Sequence, residues 1–170
     1  MSEWFDVVDK NDRVIGKARR SECHGNPNLR HRAVGIMIFN SGGELLLQKR
    51  SMKKDLYKGV WALSASGHVD SGEEYEKTAE RELMEELGIN ARLEYVFTVN
   101  FSGKDETEIG KVYIARHDGP FNPDPDEIDE VRFFPMERIE DIIKNTPGMI
   151  TPFGVIVLKE YIRRFGIRPV

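Results

Sequence analysis

Three glutamates carry the first chemical signal in this sequence. Glu82, Glu85 and Glu86 stand at i, i+3 and i+4, so on a helix they crowd one face and repel one another. They also fall near the end of their segment, where the aligned peptide dipoles disfavour negative charge. Each effect costs from a few tenths to about 1 kcal/mol. A run placed against both suggests an external cation, although a solvated acidic face would account for the same residues. Hard carboxylate oxygens clustered this way suit Mg²⁺ or Mn²⁺, ions that often bind a substrate phosphate as well.

Such a cluster needs a helix beneath it and a loop in front. The residues 67–72 have loop character, and 73–87 have the composition and length of a helix. Ser71 followed three residues later by Glu74 forms a capping-box pattern, which predicts the helix start. Gly88 predicts its stop through the left-handed conformation, and Ala79, Leu83 and Leu87 give it an inward ridge. Around this unit, 4–8 and 13–17 read as a hairpin turning at 9–12, and 33–39 with 44–48 as a second turning at 40–43. Further strands are expected at 61–64, 93–101, 111–116 and 130–134. Helices are expected at 136–144 and 152–165, the latter opened by Thr151 as cap and Pro152 in the first turn. Strands dominate and helices intervene irregularly, which predicts a mixed α/β (α+β) layered fold and not a regular βαβ repeat.

Composition narrows the setting. The chain has 170 residues, 39% hydrophobic and 32% charged, which fits one globular domain over 1–170. A net charge of −4 offers no basic surface for nucleic acid or an anionic membrane. The longest apolar stretch, 34–39, is far short of the ~20 residues that span a bilayer. Met1 to Asp6 has neither a basic nor an apolar leader region. Cys23 stands alone, so no internal disulfide forms, and a cytoplasmic location is expected.

The stretch Gly67-His68-Val69-Asp70-Ser71-Gly72-Glu73, seven residues, then Arg81-Glu82-Leu83-Met84-Glu85-Glu86-Leu87-Gly88-Ile89 resembles the Nudix box at every fixed position. The resemblance implies an α/β/α sandwich with a mixed sheet and a loop–helix–loop box. It implies that Glu82, Glu85 and Glu86 ligate a divalent metal together with the Gly67 carbonyl. Glu73 and Arg81 would pair in a structural role. The implied reaction is metal-assisted hydrolysis of a diphosphate bond in a nucleoside diphosphate linked to another group, or in a related organic diphosphate.

Segments outside the box, Glu3-Trp4-Phe5-Asp6-Val7-Val8, Leu29-Arg30-His31-Arg32-Ala33 and Leu45-Leu46-Leu47-Gln48-Lys49-Arg50-Ser51, are similar to the isomerase-like Nudix subgroup. That subgroup contains type I isopentenyl diphosphate isomerases as well as hydrolases, and its N-terminal hairpin would extend the domain over about 1–30. The resemblance implies a second metal site at His24, His31, His68, Glu106 and Glu108. The isomerases need a catalytic Cys where this chain has Ser66, and a hydroxyl transfers protons far less readily than a thiol of pKa ~8.5. The intact box and Ser66 both favour a hydrolase, with isomerase-like activity or a non-catalytic ligand-binding Nudix domain as alternatives. Glu82, Glu85 and Glu108 are the catalytic candidates, Glu108 as a base in a polar loop just before a strand.

The expected partner is a small-molecule diphosphate, and a homodimer could form through the N-terminal hairpin and the C-terminal helix. Trp61 is expected to fill the core, Phe101 could stack on a base or fill the core, and Cys23 is expected to be buried or half-buried. Arg50, Lys53 and Lys54 could meet phosphates or be solvated, and 122–130 reads as a surface loop.

Overall fold

The computed structural model describes residues 3–168; Met1 and Ser2, part of the leader expectation, lie outside the described residues. The chain runs β1 (Trp4–Val8), β2 (Val14–Arg19), α1 (Arg20–Cys23), β3 (His31–Phe39), β4 (Leu45–Arg50), β5 (Trp61–Ala62), β6 (Ala65–His68) and α2 (Tyr75–Leu87). It continues through β7 (Glu94–Ser102), β8 (Thr107–Arg116), β9 (Ile128–Phe134), α3 (Met136–Asn145) and α4 (Pro152–Phe165).

β3 is buried along nearly its whole length, as a near-continuous apolar run must be, and it organises the large sheet. It pairs in parallel with β8, whose other edge takes β7 antiparallel. On its opposite edge it meets β6 near its start and β4 at its end. β4 in turn carries β5 and β9. Side-chain alternation then splits β3 between two layers. Val34, Ile36 and Ile38 pack with Tyr75, Ala79, Leu83 and Leu87 of α2. Met37 and Phe39 pack with Ile139 and Ile142 of α3 and with Val157, Leu158 and Tyr161 of α4. Each fully buried side chain of this size contributes roughly 1.5–3 kcal/mol. The result is an α/β/α sandwich with a mixed sheet, as the sequence predicts. β1 and β2 form a separate two-stranded ribbon.

Five local features differ from expectation. The second hairpin turns at 40–43, but its strands share only the pair Phe39↔Leu45, because β4 leaves to join β9 and frees the β3 edge for β6. Gly67 and His68 are therefore strand residues, paired with Val34 and Ala33, and not the start of the loop. The capping box does not form. The helix is capped at Glu74 without a side-chain hydrogen bond, because Ser71 Oγ donates instead to Asp6 Oδ1 at 2.7 Å. β8 starts at Thr107, which makes Glu108 a strand residue. The short α1 carries no sequence signal strong enough to predict it. The end of α2 follows expectation: Gly88 has φ of 66°, and its N–H reaches the carbonyls of Leu83 and Met84. Thr151 caps α4 by accepting from the Gly154 amide at 3.3 Å.

Candidate active site

α2 presents the three carboxylates at one mouth of the sheet. Glu82 and Glu86 are buried and Glu85 is exposed. Burial, aided by Glu85 and opposed by Arg81, lifts Glu82 to about 7. Burial and the neighbouring Glu82 lift Glu86 to about 8. Both groups thus resist ionisation until something positive arrives.

Arg81 organises them. Its Nε and Nη2 donate to the two Glu73 oxygens at 3.1 and 2.9 Å, which ties the loop to the helix and holds Glu73 below its ordinary range. Its Nη1 donates to Glu82 Oε1 at 2.9 Å and to Glu85 Oε2 at 3.2 Å. Glu86 Oε2 accepts from Gln48 Nε2 at 2.9 Å and from the Ser66 amide at 3.1 Å. Gly67, on the β6 side facing α2, lets the Glu82 carboxyl lie against its backbone, since a Cβ there would collide with that carboxyl. Three carboxylates lining one cavity with the Gly67 backbone are a donor set that fits a hard divalent cation.

A second cluster lies across β6, on the sheet's other face. The register places His31 opposite Glu108 and Ala33 opposite His68, so all four share that face. His24 enters from the end of α1 and Glu106 from just before β8. Ligand atoms of His24, His31, His68 and Glu106 lie within 4.8 Å of one another. His68 Nε2 is 2.8 Å from Glu108 Oε1, His31 Nε2 is 3.4 Å from the same oxygen, and His24 Nε2 is 3.5 Å from Glu106 Oε2.

Among the described residues, the Nε2 atoms of His24 and His31 are buried without a hydrogen-bond partner. Orphaned buried nitrogens are costly, and several converging on carboxylates fit a cation that binds imidazole. Burial, with His68 and Arg20, drives His24 down to about 4. Burial opposes the His31 cation, but the Glu108 carboxylate beside it raises it overall. Burial likewise opposes the Glu108 anion, and the His31 and His68 imidazoles overcome it and hold the carboxyl well below the usual range. Glu108 is thus a buried carboxylate lying between the His31 and His68 imidazoles.

One cavity of about 790 Å³ joins the two clusters. Ser66 and Phe101 line it, together with Arg50, Lys53 and Lys54. Lys53 Nζ meets Asp126 Oδ1 at 2.6 Å in an exposed pair, and the less exposed Lys54 pairs with Glu127. Trp61 packs edge-on against Phe134 with centroids 5.0 Å apart, a core role. Cys23 is buried.

Sequence reasoning passes over Phe5, Asp6 and Gln48. Phe5 is fully buried and stacks on His31 and His68 with centroids 5.2 and 5.0 Å away. Asp6 takes the Ser71 hydroxyl and the Gly72 amide. The signal for Gln48 is an apolar run, Leu45 to Leu47, that passes into a polar residue without leaving the core.

Comparison with known proteins agrees with this arrangement. Residues 29–152 match the model of the NUDIX domain. The chain is 37% identical over 147 residues to an uncharacterized Nudix hydrolase of Pseudomonas aeruginosa, covering 86% of each chain. It is 33% identical over 150 residues to an isopentenyl-diphosphate Delta-isomerase of Pectobacterium atrosepticum, covering 85% of this chain and 83% of that one. The crystal structure of DR0079 from Deinococcus radiodurans superposes with a TM-score of 0.71 at 29% identity, covering 85% of this chain and 90% of that chain. No helix among the described residues is long and apolar enough to cross a membrane. With Glu82, Glu85 and Glu86 on one helix and the matched domain spanning most of the sequence, the chain belongs to the Nudix family and is a Nudix hydrolase.

Proposed function

We propose that this chain hydrolyses the diphosphate bond of a small organic or nucleoside diphosphate, with Mg²⁺ or Mn²⁺ held by Glu82, Glu85, Glu86 and the Gly67 carbonyl. The observation that supports this most is that Glu82, Glu85 and Glu86 line one cavity with Gly67, two of them buried and Glu82 against the Gly67 backbone, with room for such a substrate. A divalent cation bound there supplies Lewis acidity toward phosphoryl oxygens and lowers the proton affinity of water.

The protein does the rest. Arg81 holds one oxygen each of Glu82 and Glu85 and keeps the helix end from flying apart. Glu85, the exposed member, has an oxygen outside the Arg81 contact and serves as proton acceptor in this reading. Arg50 and Lys54 at the rim offer positive charge to a diphosphate as it enters. His24, His31, His68 and Glu106 form a second cation site beside the same cavity, with Glu108 between His31 and His68 and Phe5 stacked on those two rings.

The isomerase-like alternative draws on that second cluster and on the name of the Pectobacterium atrosepticum relative. Against it, Ser66 stands where a thiol would be required.

The test is phosphate release from a panel of nucleoside di- and triphosphates, nucleotide sugars, dinucleotides and isoprenyl diphosphates with Mg²⁺ or Mn²⁺. Glu82→Gln should lower turnover on the best substrate by orders of magnitude while the fold survives. Near wild-type turnover in Glu82→Gln at saturating metal would reject the carboxylate site.

A further inference from the structure

Gln48 is 2% exposed and sits on β4, outside the box, yet its side chain ends on the box helix. Its amide nitrogen uses both hydrogens. One goes to the Ser64 carbonyl at 3.1 Å and the other to Glu86 Oε2 at 2.9 Å. The Ser66 amide adds a second donor to the same oxygen at 3.1 Å. Glu86 Oε1 receives no hydrogen bond among the described residues.

Ser64 is itself fixed, since its hydroxyl donates to the Leu46 carbonyl at 2.6 Å and accepts from the Ile38 amide at 2.8 Å. The orientation of Glu86 is therefore set by three strands, β3, β4 and β6, and by the segment between β5 and β6. Nothing in α2 itself sets it.

We infer that Gln48 is a positioning residue that reserves one Glu86 oxygen for the protein, makes Glu86 a single-oxygen ligand, and thereby tunes the box toward small octahedral cations and against Ca²⁺. The inference rests on the proposal above that Glu86 ligates the metal. Its physical basis is the difference between the ions. Mg²⁺ demands near-ideal octahedral geometry with short bonds. Ca²⁺ accepts 6–8 oxygens at longer distances and commonly takes both oxygens of a carboxylate. An oxygen that accepts from both Gln48 and the Ser66 amide has no lone pair left for a cation, whereas loss of the Gln48 donor frees one. Partners behind a ligand commonly change metal affinity by roughly 10–100-fold when removed.

The test titrates Mn²⁺ into metal-free protein by the EPR signal of the free ion, then displaces it with Mg²⁺ and separately with Ca²⁺. One equivalent of Zn²⁺ is added first to occupy the histidine cluster. Gln48→Met keeps the length and removes both donors; Gln48→Asn keeps the amide but cannot reach, and guards against a folding defect in the first. In both, the Ca²⁺-to-Mg²⁺ affinity ratio should rise, by about tenfold in Gln48→Met. Equal weakening of both ions, or an unchanged ratio, overturns the role of Gln48, because a merely structural contact would not distinguish them. Glu86→Gln separates the two levels. If that variant binds Mn²⁺ like wild type, the carboxylate site itself is wrong. If it loses binding while the Gln48 variants keep the wild-type ratio, only the inference about Gln48 fails.

Discussion

Glu86 shows what a single side chain contributes and costs. Its carboxyl sits at about 8 in the fold against an ordinary 4.5, burial being the main cause. Folding therefore holds a proton that the unfolded chain has already lost. Stability falls as pH rises between these two values and is flat above them. Removing the charge should reverse this. In EDTA, Glu86→Gln should melt above wild type by a margin that widens from about pH 5 to about pH 8 and then levels off. Saturating Mn²⁺ should invert the order, since only wild type gains the full binding energy. Thermal melts across this pH range check both halves, and coincident melts in EDTA at every pH would show that the burial cost is absent. Types and spacing make Glu82, Glu85 and Glu86 legible in the sequence. Which of them is buried is not legible, because the covering residues come from elsewhere in the chain. Gln48 lies 38 positions from Glu86, and no local pattern links them.

At the level of elements, the ribbon β1–β2 acts on the box from outside the matched domain. The Trp4 carbonyl accepts from the Ser71 amide at 2.7 Å, and Asp6 accepts from Ser71 Oγ at 2.7 Å and from the Gly72 amide at 3.2 Å. At the ribbon's turn, Asp12 takes Arg32 Nε at 2.6 Å and the Tyr75 hydroxyl at 3.1 Å, so the same ribbon also grips the first turn of α2. Ser71→Ala should cost about 1 kcal/mol and Asp6→Ala more, since it also releases the Gly72 amide, and the double variant should cost little more than Asp6→Ala alone because the Ser71–Asp6 bond is shared. Denaturant melts of the four proteins give the coupling directly, and simple additivity would mean that the two residues act independently.

This ribbon also explains the misread start of α2. Ser71 and Glu74 have the local letters of a capping box, but a carboxylate 65 positions upstream claims the hydroxyl first. Helix ends governed by neighbours along the chain, such as Gly88 and Thr151, are readable, and those governed by tertiary partners are not. For the same reason β6 is missed: Ala65 to His68 is a strand because β4 vacates the edge of β3.

Across the whole molecule, the two clusters open into one cavity from opposite faces of β6, with Ser66 on the same face as His68. Moving a proton to or from an allylic carbon requires an acid–base group near neutral pKa, and the Ser66 hydroxyl is far from that. Wild type should give no measurable conversion of isopentenyl to dimethylallyl diphosphate. An assay on wild type and on Ser66→Cys decides the matter. Activity in wild type would overturn the hydrolase reading, and activity only in Ser66→Cys would mark the histidine cluster as the remainder of an isomerase site. The sandwich is legible from the box, and the resemblance outside the box names His24, His31, His68 and Glu106, which the fold brings together. Their placement within one shared chamber emerges only from the sheet.

The pairing of His31 with Glu108 and of Ala33 with His68 has a consequence for quality control. A slip of one residue in β6 or β8 would turn His68 or Glu108 toward α2 and scatter the cluster. On the proposed reading of the histidines as a cation site, capture there would act as a checksum on strand alignment: a molecule that threads its sheet wrongly would have nothing to capture with. In a refolding mixture, the fraction of chains that retain one tightly held Zn²⁺ would count the correctly threaded ones.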